Sequence, residues 1–200
     1  MMRLVLAAIV AALAWGAHAQ PAFDCSRASG EIETLICNDE SLQALDRQLA
    51  KTWARATEAW PAEVASEQRA YQRGWIKGRN DCWKAEDATA CVKFAYRSRL
   101  VELSISAGLV EDPGYRSVTC EDDTTPFTAT FYNTLEPRAA VLTRGNDQVI
   151  ALSARSASGA RYTAQGVEFW GKGNDVSVDW FGTELRCTLS PQAADGTSNP

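Results

Sequence analysis

Between Gly108 and Gly114 the chain changes the period at which its apolar residues recur, and that change dictates two kinds of structure. Before it, Leu42, Leu45, Leu49, Trp53, Ala56 and Trp60 are spaced at three and four. So are Val64, Gln68, Tyr71 and Trp75, and then Val92, Tyr96, Leu100 and Leu103. This is the spacing of amphipathic helices, which bury one stripe. After Asp112-Pro113-Gly114 the spacing falls to two: Phe127, Ala129 and Phe131 alternate with threonine and tyrosine, and Val176, Val178 and Trp180 with Ser177 and Asp179. Alternation of this kind marks half-buried antiparallel strands. About eight short strands between turn signals predict a small barrel or sandwich.

Local signals set the helix ends. Pro61 suits the first turn of a helix, where a missing N–H costs nothing, and Asp39 or Ser41 is placed to cap the helix before it. Cys25 and Cys37 bracket one short segment, Cys82 and Cys91 another, and Cys120 and Cys187 stand near the two ends of the strand region. Six cysteines in an exported chain imply three disulfides. Local pairing within each bracket is preferred, and crossed pairing among the first four remains open.

Export itself is read from residues 1–19. They carry Arg3, a twelve-residue apolar run from Leu4 to Trp15 and the small-residue ending Ala17-His18-Ala19. The run is shorter than the roughly twenty residues of a membrane span, so a cleaved secretory signal is expected rather than an anchor. The first cysteine stands six positions beyond Ala19, too far for lipid attachment at the cleavage point. The expected location is the periplasm. Cleavage would leave nineteen basic against twenty-five acidic side chains and no histidine, since His18 is the only one. Imidazole-dependent catalysis and most zinc sites are then excluded, and no metal or other cofactor is expected. Nor does the acidic surface suit nucleic acid; it favours a cationic partner. The tail, 190–200, is small and polar and is expected to be disordered.

One hairpin concentrates the remaining signal. Ala160–Thr163 and Val167–Trp170 flank the turn Ala164-Gln165-Gly166. With Gln165 at its centre, Tyr162 faces Glu168, Ala160 faces Trp170 and Ser158 faces Lys172. A two-residue turn would shift this register by one without separating the last pair. Cross-strand β-carbons lie about 4.5 to 5.5 Å apart, so a hydroxyl and an ammonium are expected side by side. Both flanking loops, Ser156-Ala157-Ser158-Gly159 and Gly171-Lys172-Gly173, are thin enough to enter a narrow cleft. Composition alone reads the same residues as ordinary turns with a solvated lysine, and Tyr162, Phe169 and Trp170 as core.

Ser158-Gly159-Ala160-Arg161-Tyr162, followed by Phe169-Trp170-Gly171-Lys172-Gly173, resembles the two signature motifs of the MliC/PliC family of c-type lysozyme inhibitors, S-G-x-x-Y and W-x-K-G-x-x-A. The resemblance extends over the whole strand region, with Gly171 where family members often have threonine and Val176 in place of the motif alanine. It implies an eight-stranded antiparallel β-barrel over 113–189. It further implies a non-enzymatic function: Ser158 and Lys172 enter the lysozyme cleft and engage its catalytic acids, with Gly159, Tyr162 and Gly173 completing the binding motifs. The segment Gln72-Arg73-Gly74-Trp75-Ile76-Lys77-Gly78-Arg79-Asn80-Asp81-Cys82, with Cys91, Tyr96, Arg99 and Leu100, resembles the LprI-type N-terminal domain. That domain, over 20–112, is associated with lysozyme inhibition but brings no residue-level mechanism. The resulting fold class is α+β in two domains, a disulfide-stapled helical domain followed by the barrel.

Two other functions fit parts of the sequence. A cell-wall glycan-binding module would stack sugars on Trp170, Tyr162 and Trp75, and a glycoside hydrolase would use paired carboxylates such as Glu168 and Asp179.

Overall fold

The computed structural model describes residues 20–121 and 123–191. The expected signal at 1–19 and most of the expected disordered tail lie outside these residues. Four helices come first: α1 (Glu31–Asn38), α2 (Glu40–Ala59), α3 (Ala62–Asn80) and α4 (Ala88–Ser106). None of the described helices is long and apolar enough to cross a membrane. Asp39 starts α2, its carboxylate accepting from the Ser41 and Leu42 amides at 2.8 and 3.0 Å. Asp87 starts α4 in the same way, accepting from the Ala90 amide. Both satisfy N–H groups that a helix leaves unpaired at its first turn. Pro61 stands one residue ahead of α3.

The helical core gathers Ile32, Ile36, Leu42, Leu49, Ala56, Val92, Tyr96 and Leu103. Cys25 bonds to Cys37 and Cys82 to Cys91, so the bridges are local and each ties a helix end to the segment beside it. In α3 the sequence expectation differs from the fold. Val64 and Tyr71 of the expected stripe are exposed, and the residues α3 buries are Ala65 and Arg79. The contact of α3 with α4 combines the Trp75–Tyr96 ring contact, centroids 5.4 Å apart, with a polar part in which Gln72 and Gln68 accept from the Arg99 guanidinium at 3.0 and 3.4 Å. A stripe read from apolar periodicity cannot register the part of a seam built on amides and guanidinium groups.

Beneath α2, α3 and α4 lies a buried polar knot. The Tyr96 hydroxyl donates to Asp46 Oδ1 at 2.8 Å and accepts from Arg79 Nη1 at 2.8 Å. Asp46 Oδ2 accepts from the Ala22 amide at 2.7 Å, which fastens the chain's entry to the helices. The Arg79 guanidinium lies 5.5 Å from the ring centroids of both Trp75 and Tyr96, within cation–π range. Trp75, Arg79 and Tyr96 therefore pack and pair inside the helical domain. Burial pushes the Tyr96 phenol well above its ordinary range.

Eight strands follow: β1 (Tyr115–Cys120), β2 (Phe127–Tyr132), β3 (Ala139–Arg144), β4 (Asp147–Ala154), β5 (Ala160–Ala164), β6 (Val167–Lys172), β7 (Asp175–Trp180) and β8 (Thr183–Leu189). Each pairs antiparallel with the next and β8 returns to β1, giving a closed barrel. Closure removes exposed strand edges. Cys120 and Cys187 face one another across the closing pair and are bonded. The interior is a separate core, including Phe127, Ala129, Leu142, Tyr162, Phe169, Val178 and Trp180. Its contributors alternate along each strand as the period of two requires.

Candidate functional site

One end of the barrel is open. The β2–β3 loop, the β4–β5 loop, the β6–β7 turn and the start of β1 surround a cavity of about 610 Å³. Phe131, Tyr162, Phe169 and Leu189 form its floor, and Gly159, Gly171 and Gly173 belong to its rim, together with Glu111 and Pro113 of the linker. Phe131 packs against Tyr162 and Phe169 with ring centroids 5.5 and 5.8 Å apart. Burial raises the Tyr162 phenol above its usual range, against a smaller opposing pull from Arg138.

Both motif loops rise from this rim, but in a different register from the one centred on Gln165. Ala164 pairs with Val167, Tyr162 with Phe169, Arg161 with Trp170 and Ala160 with Gly171. The hairpin turn thus contains two residues, Gln165 and Gly166, and every cross-strand pairing moves by one. Gly166 makes the shorter turn accessible: its φ of +73° is the left-handed conformation that glycine adopts without penalty. A β-carbon there would stand 2.7 Å from the Phe181 ring, and the Gly166 carbonyl accepts from the Phe181 amide. Continued past the ladder, the register sets Gly159 across from Lys172 and Ser158 across from Gly173.

The loops remain in contact. A β-carbon built on Gly159 would lie 3.3 Å from the Lys172 β-carbon, so Lys172 stands against Gly159, and Ser158 lies one residue along its loop, across from Gly173 rather than from Lys172. Both are exposed, and Lys172 has no ion pair among the described residues. Gly159 and Gly173 hold φ of +71° and +66°. Gly173 opens the two-residue β6–β7 turn, whose second residue, Asn174, accepts through its carbonyl from the Leu189 amide at 2.8 Å.

Of the three aromatic residues near the motifs, Tyr162 and Phe169 are core, at 3% and 1% exposure, while Trp170 stands on the outer face at 38%. Its indole donates to the Ser158 carbonyl at 2.8 Å and to Ser156 Oγ at 3.1 Å. Sequence reasoning missed this contact; its signal was an outward register position, odd in parity from Phe169, occupied by a large ring. With Tyr162 buried and Trp75 half-buried, the stacking surface expected for a glycan-binding module is reduced to Trp170. Glu168 and Asp179 face each other across β6 and β7 on the outer surface, and Glu168 is ion-paired with Arg161. Among the described residues no group of three or more His, Cys, Asp or Glu side chains is placed to hold a metal ion.

Residues 118–186, the body of the barrel, match the family described as membrane-bound lysozyme-inhibitor of c-type lysozyme, MliC. Over 167 residues the chain is 35% identical to Lipoprotein LprI of Mycobacterium bovis, covering 84% of this chain and 83% of that protein. The chain belongs to the LprI family. Lipoprotein LprI of two Mycobacterium tuberculosis strains, CDC 1551 and H37Rv, matches at the same identity and coverage. No solved structure matches the chain significantly. The architecture of this LprI-family protein is two-part, an LprI-type helical domain followed by an MliC-type barrel, and the rim carrying Ser158 and Lys172 falls inside the matched segment.

Proposed function

We propose that this chain is a secreted inhibitor of c-type lysozyme, working in the periplasm, and that the barrel mouth is its inhibitory face. The observation that carries the reading is the juxtaposition of the Ser158 and Lys172 loops on one rim, within the segment matching the lysozyme-inhibitor family. Lysozyme is a retaining glycosidase whose two catalytic carboxyl groups lie about 5 to 5.5 Å apart. One has its pKa raised to about 6 and serves as the acid, and the other stays ionised. A lysine ammonium pairs with the ionised group, and a serine hydroxyl hydrogen-bonds with either. A hydroxyl and an ammonium on two adjoining loops with little bulk suit such a cleft. Gly159, Tyr162 and Gly173 support them: the glycines set the loop conformations and Tyr162 fills the floor beneath.

Inhibition here is occlusion, without chemistry by the inhibitor. Insertion expels water, and the ammonium gains most when it is desolvated together with its partner. The three disulfides suit an oxidising compartment outside the cytoplasm. Residual c-type lysozyme activity on bacterial cell walls, measured with stoichiometric purified protein, tests the proposal. Near-complete loss of activity is expected. Full lysozyme activity, with the protein bound instead to purified peptidoglycan, would favour a glycan-binding module.

A further inference from the structure

The β4–β5 loop carries Ser158 and is held at its Gly159 end by close backbone approach to Gly171, but little holds the rest of it. Ser156-Ala157-Ser158-Gly159 has no large side chain, and no turn bond between backbone groups joins residues 155–159 among the described residues. A loop so built is ordinarily mobile, and a mobile loop loses affinity in proportion to the time it spends in other shapes. Its fixed points come from elsewhere. The Trp170 indole N–H is shared between the Ser158 carbonyl and Ser156 Oγ, and the Ser156 hydroxyl also donates to the Ser158 carbonyl.

We propose that Trp170 is a positioning residue that fixes the Ser158 loop in its lysozyme-competent shape, with Ser156 as the second leg of the brace. Burial does not account for the ring. Trp170 projects from the outer face, and its cross-strand neighbours there are Arg161 and Ser177, both polar. What the ring contributes is a donor at a fixed height above the sheet, since β6 is paired on both sides along its length. With two donors on its carbonyl, Ser158 has that group turned toward Trp170 and Ser156. Its hydroxyl has no partner among the described residues and is the group left for an incoming surface.

This inference rests on the inhibitor reading and predicts where in the kinetics the effect falls. A residue that touches lysozyme changes dissociation; a residue that keeps the free loop competent changes association, because only the competent fraction binds. In the full-length mature protein, Trp170→Phe retains the ring and removes the donor, and Ser156→Ala removes the other leg at an exposed site. The expected result is association with c-type lysozyme slowed about tenfold for Trp170→Phe and about threefold for Ser156→Ala, with dissociation changed less than about twofold. NMR order parameters of the backbone at residues 156–159 of the free protein are expected to fall in both variants while the melting temperature stays within about 2 °C. Unchanged association in both, or a loss confined to dissociation, would overturn the proposal. Should Trp170→Phe fail to fold, Ser156→Ala decides alone. Should the unaltered protein not bind lysozyme, the inhibitor reading has failed, and the order parameters still establish whether Trp170 holds the loop; unchanged order parameters would refute the brace itself.

Discussion

A β-carbon built on Gly159 would stand 2.2 Å from the Gly171 carbonyl oxygen, so the two motif loops meet backbone to backbone at this point. Nothing larger than hydrogen fits, and the φ of +71° at Gly159 independently disfavours any other residue. Gly171 is different: a β-carbon there would make only ordinary contacts, the nearest 3.6 Å away. Gly159→Ala is therefore expected to cost about 1 to 3 kcal/mol and to lose inhibition, whereas Gly171→Ala should be tolerated. Denaturant unfolding of both variants checks this; equal stability would remove the argument that the loops are locked together.

Lys172→Ala should weaken lysozyme inhibition more than Ser158→Ala. The lysine supplies a charge-assisted contact worth about 1.5 to 3 kcal/mol, roughly ten- to a hundredfold in affinity. Inhibition constants for the two variants, measured side by side, give the order. Undiminished inhibition by Lys172→Ala would place the inhibitory face elsewhere.

The two domains have separate buried cores, and such units fold independently as a rule. Residues 113–200 alone should inhibit c-type lysozyme within about tenfold of the mature chain, about 1.4 kcal/mol. The fragment 20–112 should inhibit weakly, or without dependence on Lys172. A folded but inactive barrel beside a fully active helical fragment would reverse the assignment.

Cys120 and Cys187 join the two strands at which the barrel closes, 67 residues apart in sequence. Replacing both by alanine should cost about 2 to 5 kcal/mol, in the barrel and not in the helical domain. Thermal unfolding followed separately in each isolated domain distinguishes the two.

Tyr96 ties Asp46 to Arg79 within the helical core, and Tyr96→Phe takes the shared hydroxyl from Asp46 Oδ1 and Arg79 Nη1, which are left as an ion pair 3.9 Å apart. Losing two hydrogen bonds to charged groups that keep other partners is expected to cost about 1 to 3 kcal/mol. The pH dependence has a definite sign. With its phenol raised by burial, folded Tyr96 keeps its proton where the unfolded chain releases it, so stability is fully present below about pH 10 and declines as pH rises above it. Chemical denaturation from pH 8 upward should show that decline in the helical domain and a shallower one in Tyr96→Phe.

The periodicities of the sequence determined the two domains, the helices and the strands, because period three to four and period two each fit one backbone geometry. The cysteine brackets and the two loop motifs were legible in the same way, being local in the chain. Pairing of the first four cysteines was not, since spacing permits crossed bridges and only the packed helices bring Cys25 to Cys37 and Cys82 to Cys91. The hairpin register also waited for the fold: Phe181, from the adjoining β7–β8 turn, packs on Gly166 and accompanies the two-residue turn. The Asp46–Tyr96–Arg79 knot and the Trp170 brace escaped for a common reason. Each depends on where polar atoms meet, over 50 residues in the first case and 12 in the second, and hydrophobic patterning carries no information about direction of hydrogen bonds. Sequence periodicity selects which face of an element is buried; tertiary packing decides which polar groups on those faces find each other.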